Sequence, residues 1–170
     1  MIDKLYEVER ALQRRPEKFL EKFKLNTMHI DYHEPFVDRI WFQYDETTRV
    51  YFHKIYPSKS SEAALFHPHP WESAIRILHG GYEMGIGHSK DNTVPKIDCK
   101  LFLPDYTIYE MVEKDAWHYV NPLATPSYSI MVTGKLNGRE MPVEPNKKFR
   151  KLKKKEIDDI LEIVYETYAR

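Results

Sequence analysis

The stretch Phe66-His67-Pro68-His69-Pro70-Trp71-Glu72-Ser73-Ala74-Ile75-Arg76-Ile77-Leu78-His79-Gly80-Gly81 decides how the chain reads. In an extended strand, residues two apart project to the same face, so His67 and His69 offer two imidazoles to one point while Pro68 turns away. That is a metal-chelating spacing. Pro68 lacks a backbone N–H and fixes φ, which suits a strand edge or end and not a helix interior. The apolar residues Ala74, Ile75, Ile77 and Leu78 then end at Gly80-Gly81, and β-like character resumes over 82–86. The segment reads as strand, turn, strand.

A third imidazole stands downstream in Ala116-Trp117-His118-Tyr119-Val120, between a polar turn at 113–115 and the break Asn121-Pro122. A His-x-His, an apolar strand, a glycine turn and a second histidine strand roughly fifty residues on resemble the paired motifs of the cupin superfamily. The resemblance implies a mainly β fold, a cupin jelly-roll barrel whose two motifs bring these side chains together inside. Usual cupins carry a glutamate ligand where this chain has Ser73, with Glu72 one residue early. A one-residue offset reverses the face in a regular strand. Glu72 is a ligand only if the Pro70-Trp71 turn is irregular; the simpler set is His67, His69 and His118, with Ser73 as a neutral neighbour.

Three neutral imidazoles leave a divalent metal its full charge and leave coordination positions open. Imidazole suits Fe, Ni, Cu and Zn alike. Within the cupins, a three-histidine iron site resembles the thiol dioxygenases, the cysteine dioxygenase group in particular. That resemblance implies Fe(II), a small and anionic thiol or carboxylate substrate, and dioxygen addition to give a sulfinic acid. It also implies a substrate-carboxylate arginine on an earlier strand, for which Val37-Asp38-Arg39-Ile40-Trp41-Phe42-Gln43 supplies Arg39. A guanidinium fork donates two parallel hydrogen bonds to a planar carboxylate. The bland alternative is an arginine ion-paired with Asp38, Asp45 or Glu46.

The likeness weakens beyond His118. In Ser127-Tyr128-Ser129-Ile130-Met131-Val132-Thr133, one register points Ser129, Met131 and Thr133 inward and the other Tyr128, Ile130 and Val132. Neither reproduces the outer-sphere histidine and tyrosine of the thiol dioxygenases, and Cys99 is not at their cross-linking position. Two other readings of the same fold therefore stand: a Zn, Ni or Mn isomerase or hydrolase, and a non-catalytic cupin that binds a small ligand. Cupins often form homodimers, although no residue pattern here specifies the contact.

The 170 residues suit one structural domain. It divides into a helical segment 1–25, a β-barrel 26–145, and a basic linker with a helix at 146–170. Hydrophobic residues make up 42% and aromatics 14%, a mix that favours β-structure. Twenty-six basic and twenty-six acidic side chains cancel, so no general attraction to nucleic acid or anionic membrane follows. A single cysteine excludes an intrachain disulfide framework and is compatible with a reducing cytoplasm. Without an apolar leader or membrane span, the chain reads as soluble and cytoplasmic.

Apolar spacing predicts amphipathic helices at 2–14, 17–23 and 156–168, the first two packing on the barrel exterior. Strands are expected at 39–44 and 49–56, with His53 or Lys54 facing the cavity according to register. Trp41, Trp71 and the tyrosines are expected to wall that cavity. His29 and His33 read as surface or structural residues, His79 as lying at the barrel mouth or surface, and His88 as part of a polar loop. A hairpin turn is expected at 134–139, and the seven basic residues within 146–155 read as a solvated linker offset by the acidic helix that follows.

Overall fold

The computed structural model describes residues 1–91, 93–136 and 149–169. Its larger sheet holds β1 (Asn26–Ile30), β2 (Val37–Gln43), β3 (Arg49–Ile55), β5 (Trp71–His79), β8 (Ile108–Met111) and β10 (Ser127–Leu136) in the order β1-β2-β3-β10-β5-β8. The smaller holds β4 (His67–Pro68), β6 (Tyr82–His88), β7 (Cys99–Leu103) and β9 (Ala116–Asn121) in the order β4-β9-β6-β7. All named strand pairs are antiparallel. This is the mainly β jelly roll that the sequence predicts, with helices at its two ends.

Both faces of the larger sheet are covered, which explains why β3, β5 and β10 read as nearly continuous apolar runs. On the outer face Ile40, Phe42, Phe52, Ala74, Ile130 and Val132 pack with Leu5, Val8, Leu12, Ile160 and Val164. These last five come from α1 (Ile2–Leu12) and α3 (Lys154–Tyr168), and α2 (Pro16–Leu20) adds Phe19 and Leu20. The opposite face, reached by the alternate residues of the same strands, looks across to the smaller sheet. Gly80 and Gly81 turn the chain from β5 to β6, from one sheet to the other, with φ of 95° and 57°. A Cβ on Gly80 would lie 2.5 Å from the Pro126 carbonyl oxygen, so this corner requires glycine.

Several boundaries differ from the sequence expectation. α1 stops at Leu12, α2 spans Pro16–Leu20, and α3 begins earlier, at Lys154. Glu156 accepts from the Lys153 backbone N–H at 2.7 Å and from an Arg150 fork at 2.8 and 2.9 Å, so part of the basic run is tied to the helix it precedes. β6 extends through Gly87 and His88, which pair with Trp117 and Ala116 of β9, and Asp98 and Glu113 contact the His88 ring at 2.8 and 3.2 Å. β10 runs through Gly134 to Leu136; the rest of the expected turn at 137–139, and residues 146–148 of the basic run, lie outside the described residues.

One charged cluster is buried where the helices meet the sheet. Glu9 of α1 accepts from Arg76 Nε at 2.5 Å, from Arg76 Nη2 at 3.0 Å and from the Tyr168 hydroxyl at 2.7 Å. Removing one partner of such a group strands the others in a low dielectric, at about 3–5 kcal/mol. Glu9→Ala is therefore expected to lower the urea midpoint strongly. Glu7→Ala, which breaks an exposed pair with Lys4 and an exposed hydrogen bond from the Tyr44 hydroxyl, should cost only about 1 kcal/mol. Equal midpoints for the two variants would show that the Glu9 cluster adds nothing.

Candidate metal centre

The smaller sheet places two of the three histidines by register alone. β4 and β9 are antiparallel neighbours, and His67 pairs directly with His118. His69 follows β4, before β5 begins, and its ring meets His118 from the side of the larger sheet. The Nε2 atoms of His69 and His118 are 2.8 Å apart, and one nitrogen from each of the three rings lies within 4.8 Å of the others. Two imidazole nitrogens at 2.8 Å need a proton or a cation between them, since two facing lone pairs repel.

The outer nitrogens orient the rings. His67 Nδ1 is 3.0 Å from the Leu65 carbonyl oxygen, and His69 Nδ1 is 3.3 Å from the Ser73 hydroxyl. Each contact directs Nε2 inward, as outer partners of metal-bound histidines do. His118 Nδ1 is buried with no hydrogen-bond partner among the described residues. The donor set and geometry fit a divalent transition metal that prefers imidazole.

Ser73 is fully buried against this cluster and Glu72 is exposed, so β5 keeps regular alternation at the position that decides between them. Glu72 does not join the three histidines.

The cluster opens into a cavity of about 100 Å³ between the sheets. Its polar side comes from one row of the larger sheet. Arg39 is the register partner of His53, and His53 of Ser129, on β2, β3 and β10. Arg39 Nε donates to His53 Nε2 at 3.0 Å, and the Ser129 hydroxyl is 3.5 Å from His53 Nδ1. The Arg39 guanidinium also lies 5.2 Å from the Tyr51 ring centroid. The bland alternative for Arg39 is not what the fold adopts. Asp38 projects from the opposite face of β2, where His29 Nδ1 contacts it at 2.6 Å and the Tyr56 hydroxyl donates at 2.8 Å. Asp45 caps its own turn through Thr47 and Thr48. Among the described residues no carboxylate pairs with Arg39, and none lines the cavity.

Register also settles the choices that sequence leaves open. His53 faces the cavity, because Lys54 points outward to Asp159 of α3 at 2.5 Å. Ser129 and Met131 face in, while Ile130 and Val132 pack under the helices. Trp41 and Trp71 do not wall the cavity. Trp41 pairs with Tyr51, one inward step beyond Arg39, and Trp71 stacks on the same Tyr51 with ring centroids 6.3 Å apart. Tyr82 and Tyr109 line the cavity instead, their hydroxyls 2.6 Å apart. His29 binds Asp38, His33 Nδ1 lies 3.1 Å from the Glu34 carbonyl oxygen, and exposed His79 faces Asp105 at 3.4 Å.

Burial sets the charge state of the site. It pushes His67 down to about 4 and His118 well below the usual 6.5, with the neighbouring imidazoles adding to the effect on His118. His53 is likewise well below 6.5, through burial first and the Arg39 charge second. In the unfolded chain these groups bind protons near 6.5, so between about 6.5 and 4 the unfolded state binds more protons than the folded one. Stability of the metal-free protein is expected to fall as pH drops through that window. Thermal unfolding at pH 7, 5.5 and 4.5 measures it, and a midpoint flat to pH 4.5 would contradict buried, neutral imidazoles.

No protein-family model matches the sequence, and no curated protein matches it. Solved structures similar to the chain include hydroxypropylphosphonic acid epoxidase from S. wedmorenis, at 14% identity and a TM-score of 0.48, over 63% of this chain and 55% of that one. AerE from Microcystis aeruginosa matches at 20% identity and 0.48, over 72% and 51%. An RmlC-like cupin from Shewanella frigidimarina matches at 12% and 0.45, over 66% and 86%. The match thus spans only about half the length of the first two solved chains. Among the described residues, no helix is long and apolar enough to cross a membrane.

Proposed function

We propose that the protein is a mononuclear metal enzyme, with His67, His69 and His118 holding Fe(II) and Arg39 anchoring a small thiol carboxylate that is oxidised by dioxygen. The observation that carries this reading is the charge inventory of the cavity. The Arg39 guanidinium is buried beside three clustered imidazoles in a space that no carboxylate of the described residues enters, and a divalent ion on those imidazoles would bring the charge there to about three. A buried charge is stable only when paired. The fitting ligand therefore carries its own anions, one toward the metal and one toward Arg39, as a thiolate carboxylate does. Two chelating groups on a short skeleton also suit the small volume.

Bound to the three histidines, Fe(II) would supply Lewis acidity toward the sulfur and the redox chemistry that dioxygen requires. The protein's own residues do the rest. Arg39 fixes the carboxylate, which converts a bimolecular encounter into a held geometry. Val37, Ile55, Ile75 and Val120 exclude water from the sulfur end, and the Tyr82–Tyr109 pair offers a hydroxyl at the wall. Ser73 is a positioning residue that holds His69. The net conversion balances as R–S⁻ plus O₂ giving R–SO₂⁻, sulfur losing four electrons and dioxygen gaining four.

The test is oxygen consumption after anaerobic loading with Fe(II), using 3-mercaptopropionate, cysteine and 2-mercaptoethanol. Uptake that requires both the thiol and the carboxylate is expected. Metal binding without uptake for any of them would replace the dioxygenase by an isomerase, a hydrolase or a non-catalytic ligand-binding protein using Zn, Ni or Mn.

A further inference from the structure

Arg39, His53 and Ser129 form one row across three adjacent strands, all turned into the cavity. Arg39 Nε donates to His53 Nε2 at 3.0 Å. A guanidinium has no acceptor, so Nε2 must be the lone-pair nitrogen and the ring proton must sit on Nδ1, facing the Ser129 hydroxyl at 3.5 Å. The tautomer is thus dictated by a neighbour that can only donate.

We propose that His53 is a positioning residue which occupies the Nε edge of Arg39, so that the substrate carboxylate is gripped end-on by the two terminal amino groups alone. The inference rests on Arg39 as the anion anchor proposed above. A guanidinium can pair with a carboxylate along its Nε edge or along its terminal edge, and the two modes turn the ligand's long axis by a large angle. Closing the Nε edge selects one of them. In a cavity of about 100 Å³ this orientation decides which end of the ligand reaches the three histidines.

The chemistry also explains why a histidine is suited to this place. Aspartate or glutamate beside Nε would orient Arg39 equally well, but it would cancel the charge that the substrate needs. A neutral imidazole orients the guanidinium and leaves its charge uncompensated. Tyr51 on the ring face and His53 on the edge immobilise Arg39 before the ligand arrives, which lowers the ordering cost of binding.

Binding to the Co(II)-loaded protein, followed by the visible absorption of the metal, separates this role from simple packing. The probes are 3-mercaptopropionate and its neutral counterpart 2-mercaptoethanol. His53→Leu is expected to weaken 3-mercaptopropionate by roughly tenfold, the scale of one lost charge-assisted hydrogen bond, while 2-mercaptoethanol binding and cobalt stoichiometry hold. His53→Gln, whose side-chain oxygen can accept from Nε, should recover most of the loss. In an Arg39→Met background His53→Leu should add nothing.

Equal weakening of both thiols, no rescue by glutamine, or a His53 effect that persists without Arg39 would each overturn the positioning role. If wild type shows no preference for 3-mercaptopropionate, or Arg39→Met leaves it unchanged, the anchor reading fails and this inference fails with it. Nitrogen-15 spectra of the wild-type protein give a check that needs no variant to fold. A pyrrole-type Nδ1 and a pyridine-type Nε2 at His53 are expected; the reverse tautomer would contradict the proposal.

Discussion

His118→Ala should bring bound metal from near one ion per chain to a small fraction of that. His118 is the cross-strand partner of His67 and lies 2.8 Å from His69 through Nε2, so its loss leaves two imidazoles that meet at no third donor. Outer partners of metal-bound histidines typically change affinity by about 10–100-fold, and loss of a direct ligand should exceed that, at roughly a thousandfold. Ser73→Ala, which removes only the contact to His69 Nδ1, is expected to fall in the smaller range. Glu72→Ala should have no effect, because that side chain is exposed on the other face of β5. Metal content after dialysis, read beside the circular dichroism of each variant, separates lost coordination from lost folding. Full occupancy in folded His118→Ala would remove it from the ligand set.

The second large effect has opposite signs for function and stability. Arg39→Met should weaken binding of a small thiol carboxylate by about a hundredfold, the scale of a desolvated bidentate ion pair. The same change should stabilise the ligand-free protein by about 1–2 kcal/mol, because it replaces a charge that burial opposes with an apolar chain of similar length. A guanidinium without a carboxylate among the described residues costs folding free energy, and a bound anion, as proposed, would offset that cost. Urea unfolding of the two proteins without ligand provides the comparison. A destabilised Arg39→Met would show that Arg39 is held by the fold for its own sake.

The fold was legible because the decisive information is local. Pro68 between two histidines, the Gly80-Gly81 corner and the break at Asn121-Pro122 state strand ends, and strand ends plus alternation define the two histidine segments. Ser73 was legible for the same reason, since side chains alternate from Glu72 out to Ser73 in even though the pairing of β5 with β10 shifts register between Ser73 and Trp71. Arg39 was visible as a residue type at a suggestive distance, but not its pairing state. Whether it meets Asp38 or a cavity depends on which face of β2 turns inward.

His53 and Lys54 show the limit most clearly. Both sit in an apolar strand buried on two faces, so hydrophobic alternation does not choose between them. The choice is made by Asp159, 105 residues away, which draws Lys54 outward and leaves His53 to the cavity. Trp41 and Trp71 misled because large aromatics fit any apolar wall. Cross-strand register with Tyr51 sets Trp41 one step from the cavity, and Trp71 of β5 stacks on the same Tyr51 ring, facts carried by packing and not by composition. The hydroxyl contact of Tyr82 with Tyr109 joins β6 to β8, strands of different sheets, and neither segment alone announces it.

The most direct test of the metal centre is elemental analysis of the wild-type protein purified without chelators. Near one iron per chain, lost on His118→Ala, is the expected result. A folded protein that carries no transition metal, and takes up none when offered Fe(II), Zn, Ni or Mn, would contradict a metal centre built from His67, His69 and His118.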